Sequence, residues 1–171
     1  IQTKLAKELH VNQSVAHNGV CLTVIDVFEK SYNVCVVKET IDRTNLSFFK
    51  KGGLINLERC LALSDKLDGH FVQGHVDCIA KCTSIINTNG SWVLRFQYPE
   101  KYRNYIVEKG SIAINGVSLT ISKLCDSIKS FETTIIPYTF NHTNFKLLKE
   151  NNLVNIEFDI IGKHVVRLNQ K

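Results

Sequence analysis

The chain contains the same unit twice. Residues 14–24 read SVAHNGVCLTV and residues 111–121 read SIAINGVSLTI, identical at seven of eleven positions. Such self-similarity at a fixed period marks a duplicated supersecondary unit and constrains the fold more than any local propensity. The echo continues. Thr40-Ile-Asp-Arg-Thr44-Asn45-Leu46 answers Thr139-Phe-Asn-His-Thr143-Asn144-Phe145, and Leu54-Ile-Asn56-Leu-Glu58 answers Leu153-Val-Asn155-Ile-Glu157. Upstream, the run from Lys4 to Leu9 answers the run from Lys101 to Ile106.

Each copy reads as β structure. Ser14–Ile25, Asn33–Lys38, Ile112–Ser122, Phe131–Ile136 and Leu153–Phe158 are rich in Val, Ile and Thr and separated by Asn, Gly, Asp and Lys turns. Asn18-Gly19 and Asn115-Gly116 are tight-turn dipeptides within the repeated motif. Gly69–Tyr98 predicts two more strands joined by a turn at 87–90, and short helical pieces are expected over Thr3–Leu9 and Glu100–Glu108. Many short antiparallel strands at even spacing favour a small barrel, and two copies favour two barrels.

The ends of the repeat are unequal. The second copy begins near Gly69, so by alignment roughly the first 28 residues of copy one are missing, and the chain contains no Met. We expect copy one to lack about two strands and to leave an edge unpaired, and this chain alone to be a poor catalyst. The tail from Gly162 onward reads as the start of a helix.

Composition narrows the function classes. With 44% hydrophobic and 22% charged residues the chain is globular rather than disordered. The net charge of +5 comes from scattered lysines, without the basic stripe and interleaved aromatics of a nucleic-acid face. No apolar run reaches membrane-helix length. Six cysteines without tight spacing read as reduced thiols of a cytoplasmic protein. Cys78 and Cys82, beside His75 and Asp77, lack a second ligand pair; on a strand they merely share a face, so no metal is expected.

The doubled N-G-x-[CS]-L-T motif, Lys38-Glu39-Thr40, Thr44-Asn45-Leu46, Ser64-Asp65 and above all Gly69-His70-Phe-Val-Gln-Gly74-His75-Val76-Asp77 resemble the riboflavin synthase family over essentially the whole chain. The resemblance implies an all-β fold of two tandem Greek-key antiparallel six-stranded barrels. The first, over 1–68, is incomplete here; the second covers 69–161, and 162–171 begins a C-terminal helix that holds a homotrimer together. It implies no cofactor and a transferase reaction between two molecules of 6,7-dimethyl-8-ribityllumazine. One gives a four-carbon unit to the other, yielding riboflavin and 5-amino-6-ribitylamino-pyrimidinedione. Two pockets for one compound are what a duplication provides. The family's N-terminal Phe-Thr-Gly element is absent.

The resemblance also marks candidate residues. Cys21 and Ser118 occupy the same repeat position and could add to, or deliver water to, a ring carbon. His75 is the first candidate for proton transfer and His70 the second, because imidazole titrates near neutrality. Asp159 and Lys109 match a rim carboxylate and a base lent to a neighbouring subunit, and Ser14 and Ser111 open the repeated strands. Cys21-Leu22-Thr23, Ser118-Leu119-Thr120, Val37-Lys38-Glu39-Thr40, Ile135-Ile136-Pro137-Tyr138-Thr139 and Gly74-His75-Val76 are implied to line the paired pockets. His17, beside its turn, is expected at the surface. The runner-up function is a lumazine- or flavin-binding module that does not turn its ligand over.

Overall fold

The computed structural model describes residues 1–169; the last two residues of the expected C-terminal segment, 170–171, lie outside the described residues. Ten strands form two sheets. In the first half, β1 (Ser14–His17), β2 (Val20–Val27), β3 (Tyr32–Val34) and β4 (Leu57–Arg59) make a four-stranded antiparallel sheet in the order β3-β2-β1-β4. In the second, β5 (Cys78–Asn87), β6 (Trp92–Gln97), β7 (Ser111–Ile114), β8 (Val117–Cys125), β9 (Ser130–Ile135) and β10 (Leu153–Phe158) close a barrel in the order β10-β5-β6-β9-β8-β7. Strands β7, β8, β9 and β10 repeat β1, β2, β3 and β4. The hairpin β5–β6 completes the second half and closes the ring.

The repeated motif becomes a hairpin in both halves. Asn18 and Gly19 have φ of 49° and 75°, and Asn115 and Gly116 have 48° and 79°. Two consecutive positive φ values give a turn whose twist matches the flanking strands. The pairing registers then coincide: Ala16 lies opposite Cys21 and Glu58, and Ala113 opposite Ser118 and Glu157.

Burial follows strand alternation. The barrel encloses Cys78, Ala80, Cys82, Leu94, Phe96, Phe131, Ile156 and their neighbours, whereas the first sheet covers a smaller cluster of Ala6, Leu9, Val15, Val24 and Tyr32. Cys78 and Cys82 do share one face, the inner one, and burial pushes their thiols up to about 12 and about 11. Among the described residues no His/Cys/Asp/Glu group could hold a metal ion.

Some local expectations need correction. The strand expected over 33–38 stops at Val34; Lys38 instead opens a short helix, α1 (Lys38–Arg43), matched by α2 (Pro137–His142) in the second half. The helical pieces are 3-10 turns at Lys4–Glu8 and Glu100–Tyr105. Residues 69–77, expected to begin a strand, form an extended strap before β5. His17 is not at the surface: it is 1% exposed, its Nε2 2.6 Å from the Tyr32 hydroxyl and its Nδ1 2.9 Å from Val15 O. Burial lowers its pKa, so the neutral ring, donating from Nδ1 and accepting from Tyr32, satisfies both contacts. The turn beside it is buried because it meets the other half.

That meeting is built from the repeat itself. A Cβ on Gly19 would lie 2.7 Å from Gly116 N, and one on Gly116 2.7 Å from Gly19 N, so the two turns pack backbone to backbone. Around them six asparagines bond crosswise. Asn45 N donates to Asn155 Oδ1 at 2.7 Å, and Asn144 N donates to Asn56 Oδ1 at 2.8 Å. Asn56 Nδ2 donates to Asn115 O and Asn155 Nδ2 to Asn18 O. Each half thus satisfies most of the buried polar groups of the other, although Asn18 Nδ2 and Asn45 Oδ1 find no partner among the described residues.

A final helix, α3 (Ile160–Asn169), follows β10, with Asp159 Oδ1 accepting from Ile161 N at its start. No helix among the described residues is long and apolar enough to cross a membrane.

Candidate functional site

The strap at 69–77 connects the two copies of the repeated motif. Its first end lies on Ser118. Gly69 has φ of 145° and so little room that a Cβ would sit 2.6 Å from Ser118 Oγ. His70 Nδ1 is 2.8 Å from the same oxygen. Burial lowers the His70 pKa, opposed by the negative charges of Asp159 and Glu157. In the tautomer that carries its proton on Nε2, the neutral ring accepts from the Ser118 hydroxyl at Nδ1, the arrangement that makes a hydroxyl a better nucleophile or water-orienting group. His70 Nε2 is buried and has no partner among the described residues.

The other end of the strap lies on Cys21. Cys21 N donates to Gly74 O at 2.8 Å, and Gly74, with φ of 81°, approaches so closely that a Cβ would meet Cys21 Cβ at 2.7 Å. Between the two ends stands Glu157, a carboxylate 3% exposed that accepts from Gln73 N at 2.6 Å and from Gly74 N and His75 N at 2.9 Å each. Asp77, just beyond, accepts from Phe158 N at 2.9 Å and pairs with Lys163 of α3 at 2.6 Å. His75 is held by its backbone while its ring is exposed to solvent.

The structure therefore brings Cys21 to Gly74, with His75 next in the strap, and Ser118 to His70, with Asp159 near enough to act on His70 electrostatically. Other candidates sit farther apart in role. Leu22 and Ile135 turn their side chains into the cores, leaving only peptide groups for a ligand. Thr23 and Thr120 are exposed on β2 and β8, with Ser14 opposite Thr23 and Leu119 beside Ser118. Val76 is half-buried in the strap. Val37, Lys38, Glu39, Ile136, Pro137 and Tyr138 are exposed at the openings of α1 and α2, and Thr40 and Thr139 carbonyls accept from Thr44 and Thr143 hydroxyls at 2.7 Å. Lys109 has φ of 66° and its Nζ reaches Ser122 O at 3.3 Å. Asp159 caps α3.

The mouths of the two halves differ. On α1, Glu39 and Arg43 form an ion pair at 3.2 Å; on α2 the same positions hold Tyr138 stacked on His142, ring centroids 4.0 Å apart. Glu157 and the asparagine cluster were missed as functional residues by sequence reasoning, although each recurs in the repeat.

Comparison with known proteins decides the family. The lumazine binding domain matches residues 1–60 and 73–159. Riboflavin synthase of Actinobacillus pleuropneumoniae is 38% identical over 163 residues, covering 95% of this chain and 75% of its own length. This chain belongs to the riboflavin synthase family. Other members agree: riboflavin synthase of Mycobacterium tuberculosis (strain H37Rv) is 40% identical over 91% of this chain and 78% of its own length, and that of Bacillus subtilis (strain 168) 37% over 99% and 78%. Among solved structures, LumP complexed with riboflavin superposes with a TM-score of 0.82 over 91% of this chain and 83% of that one, at 20% identity. LumP complexed with 6,7-dimethyl-8-(1'-D-ribityl) lumazine gives 0.80 over 91% and 82%, at 19% identity. The riboflavin synthase family fold, a closed six-stranded barrel joined to a second sheet and a C-terminal helix, extends through the whole of the described chain.

Proposed function

We infer that this chain is a riboflavin synthase, a transferase that takes two molecules of 6,7-dimethyl-8-ribityllumazine and moves a four-carbon unit from one to the other. The products are riboflavin and 5-amino-6-ribitylamino-pyrimidinedione. The observation that carries the reading is relatedness of 37–40% to riboflavin synthases along nearly the full chain. The two equivalent strand rows, Cys21–Ala16–Glu58 and Ser118–Ala113–Glu157, support it. Two identical substrates need two similar pockets, and residues 1–68 and 69–161 each supply one.

The reaction asks for little strong acid or base. The methyl at C7 of the lumazine is acidic because its anion spreads into the ring, so a modest base suffices. Holding two flat rings in reacting geometry contributes up to ~7–11 kcal/mol. In this reading Ser118, with His70 accepting its proton, delivers an oxygen nucleophile to a ring carbon in the second pocket. Cys21 stands in the equivalent place in the first, and His75 exchanges a proton with the methyl. The peptide groups of 21–23 and 118–120 meet the alternating donors and acceptors of the pyrimidinedione edge. Thr40, Thr139, Ser14, Asp159 and Lys109 serve the ribityl chains, and Tyr138 and Glu39 shape the two mouths.

Self-association belongs to the same proposal. Helix α3 leaves Ile161, Val165 and Leu168 exposed along one stripe, the spacing of a helix that packs on a neighbour. A homotrimer held by α3, acting in the cytoplasm without nucleic acid, membrane or cofactor, fits that stripe and the scattered charge.

A second reading, a binder that holds lumazine or flavin without turnover, draws on the superposition with LumP complexes. Incubation with a hundredfold excess of the lumazine separates the two. The enzyme reading expects one riboflavin for every two lumazines consumed, over many turnovers; bound fluorescence equal to the protein concentration, with no pyrimidinedione released, would refute it.

A further inference from the structure

We propose that Glu157 is the positioning residue of the site: its carboxylate fixes the strap so that Gly74 stands against Cys21 and the backbone of His75 is held beside it. The inference deepens the riboflavin synthase reading and rests on it. Glu157 lies on β10 in the second half, yet the residues it controls serve the first. Its two oxygens take three consecutive backbone N–H groups, those of Gln73, Gly74 and His75. Successive N–H groups converging on one anion form a nest, which fixes the peptide planes on either side. With those planes fixed, Gly74 O is turned to accept from Cys21 N at 2.8 Å.

A merely structural carboxylate at this place would be expected to cap a helix or pair with a cation. Glu157 has no ion-pair partner among the described residues, and all three of its bonds go to the strap. The strap has few other anchors. Between His70, bonded to Ser118, and Asp77, bonded to Phe158, no other hydrogen bond to the strap is made among the described residues except that from Cys21. Removing the anion thus releases the only backbone tie between those points other than the one that depends on it. The Cys21 contact itself leaves no slack, because Gly74 touches Cys21 with space for hydrogen alone. A shift of about 1 Å in such an element costs on the order of a hundredfold in rate when it misplaces a reacting group.

Glu58 of the first half lies opposite Ala16 as Glu157 lies opposite Ala113, so the repeat places a carboxylate at the same strand position in both halves.

The test is Glu157→Gln in the full chain, read by amide hydrogen exchange, ribityllumazine binding and turnover. A glutamine keeps one acceptor and turns an N–H group toward N–H donors, so at least one bond is lost. The expected result is exchange at 73–75 faster by about tenfold or more with β10 and β5 still protected. Turnover falls ~10–100-fold while KM stays within about threefold, and the pH dependence of kcat changes shape, because His75 no longer meets its proton. Gly74→Ala, which presses a Cβ onto Cys21 from the other side, reproduces the kcat loss with Glu157 intact. Protected amides at 73–75 in Glu157→Gln, melting of the whole barrel with the strap in both variants, or fast exchange with unchanged turnover and binding would each overturn the proposal. If wild type makes no riboflavin, the enzyme reading fails separately; the positioning role is then decided by whether residues 73–75 exchange faster in Glu157→Gln while β10 and β5 stay protected.

Discussion

The two halves of this chain begin from the same hairpin and end differently. In the second, β10 is paired by β7 on one side and β5 on the other, and the ring closes. In the first, β4 is paired by β1 alone, and β3 by β2. The repeated residues are sufficient for strand register, for the turn, and for the interface between halves. They do not by themselves close a barrel; closure comes from the β5–β6 hairpin. The comparison separates what the repeated motif supplies, two matched rows of site residues, from what residues 69–97 supply in the second half, which is enclosure and the strap that joins the rows.

The largest effect is expected where the halves touch. Gly19→Ala or Gly116→Ala needs a left-handed φ and places a methyl group into backbone, costing ~2–5 kcal/mol. Chemical denaturation should show the loss for either glycine, and near-equal losses would support an interface symmetric in energy as well as in shape.

The next prediction should affect one half only. Tyr32→Phe leaves His17 Nε2 buried without a partner, and His17→Ala leaves the Tyr32 hydroxyl so; each costs ~1–3 kcal/mol. Burial lowers the folded pKa of His17, so the unfolded chain binds its proton first. The stabilisation is therefore present above the unfolded value of about 6.5 and lost as pH falls from there through the folded pKa. Denaturation midpoints between pH 7 and pH 5 should drop less for His17→Gln than for wild type. His70, also lowered by burial, adds a slope of the same sign.

Hydrogen exchange should rank the halves: amides of β3 and β4, at open edges over the smaller core, exchange before those of β6 and β9. Equal protection would mean that the interface, not enclosure, sets local stability. The smallest effect concerns thiols. Cys35 and Cys60 are exposed, and the Cys125 thiol is lowered by a bond from Ser127, so these alkylate first. Cys78 and Cys82, buried and pushed up, should react only on unfolding.

Much of this was legible in the sequence. The repeat places both hairpins, Leu153–Phe158 is a strand throughout, and the 87–90 turn joins β5 to β6. What was not legible arises mostly from contacts between residues distant in sequence. His17 reads as a turn-adjacent polar residue, and the structure turns its ring inward onto Tyr32 and Val15 O. The 38–43 helix was hidden by strand-like Val36-Val37 ahead of it. Glu157 looks like an outward residue on an alternating strand, and nothing local reveals that residues 73–75 return to it. The recurring Asn45 and Asn144 were visible as repeats, but their crosswise bonding was not, because periodicity carries no information about which half a side chain serves.

The central claim is that two unlike halves hold two molecules of one compound at separate rows, and counting them tests it most directly. Equilibrium dialysis of ribityllumazine at low temperature should find two sites per chain. Cys21→Trp should remove one and Ser118→Trp the other. A single site in wild type, or both sites lost to either substitution, would contradict the account.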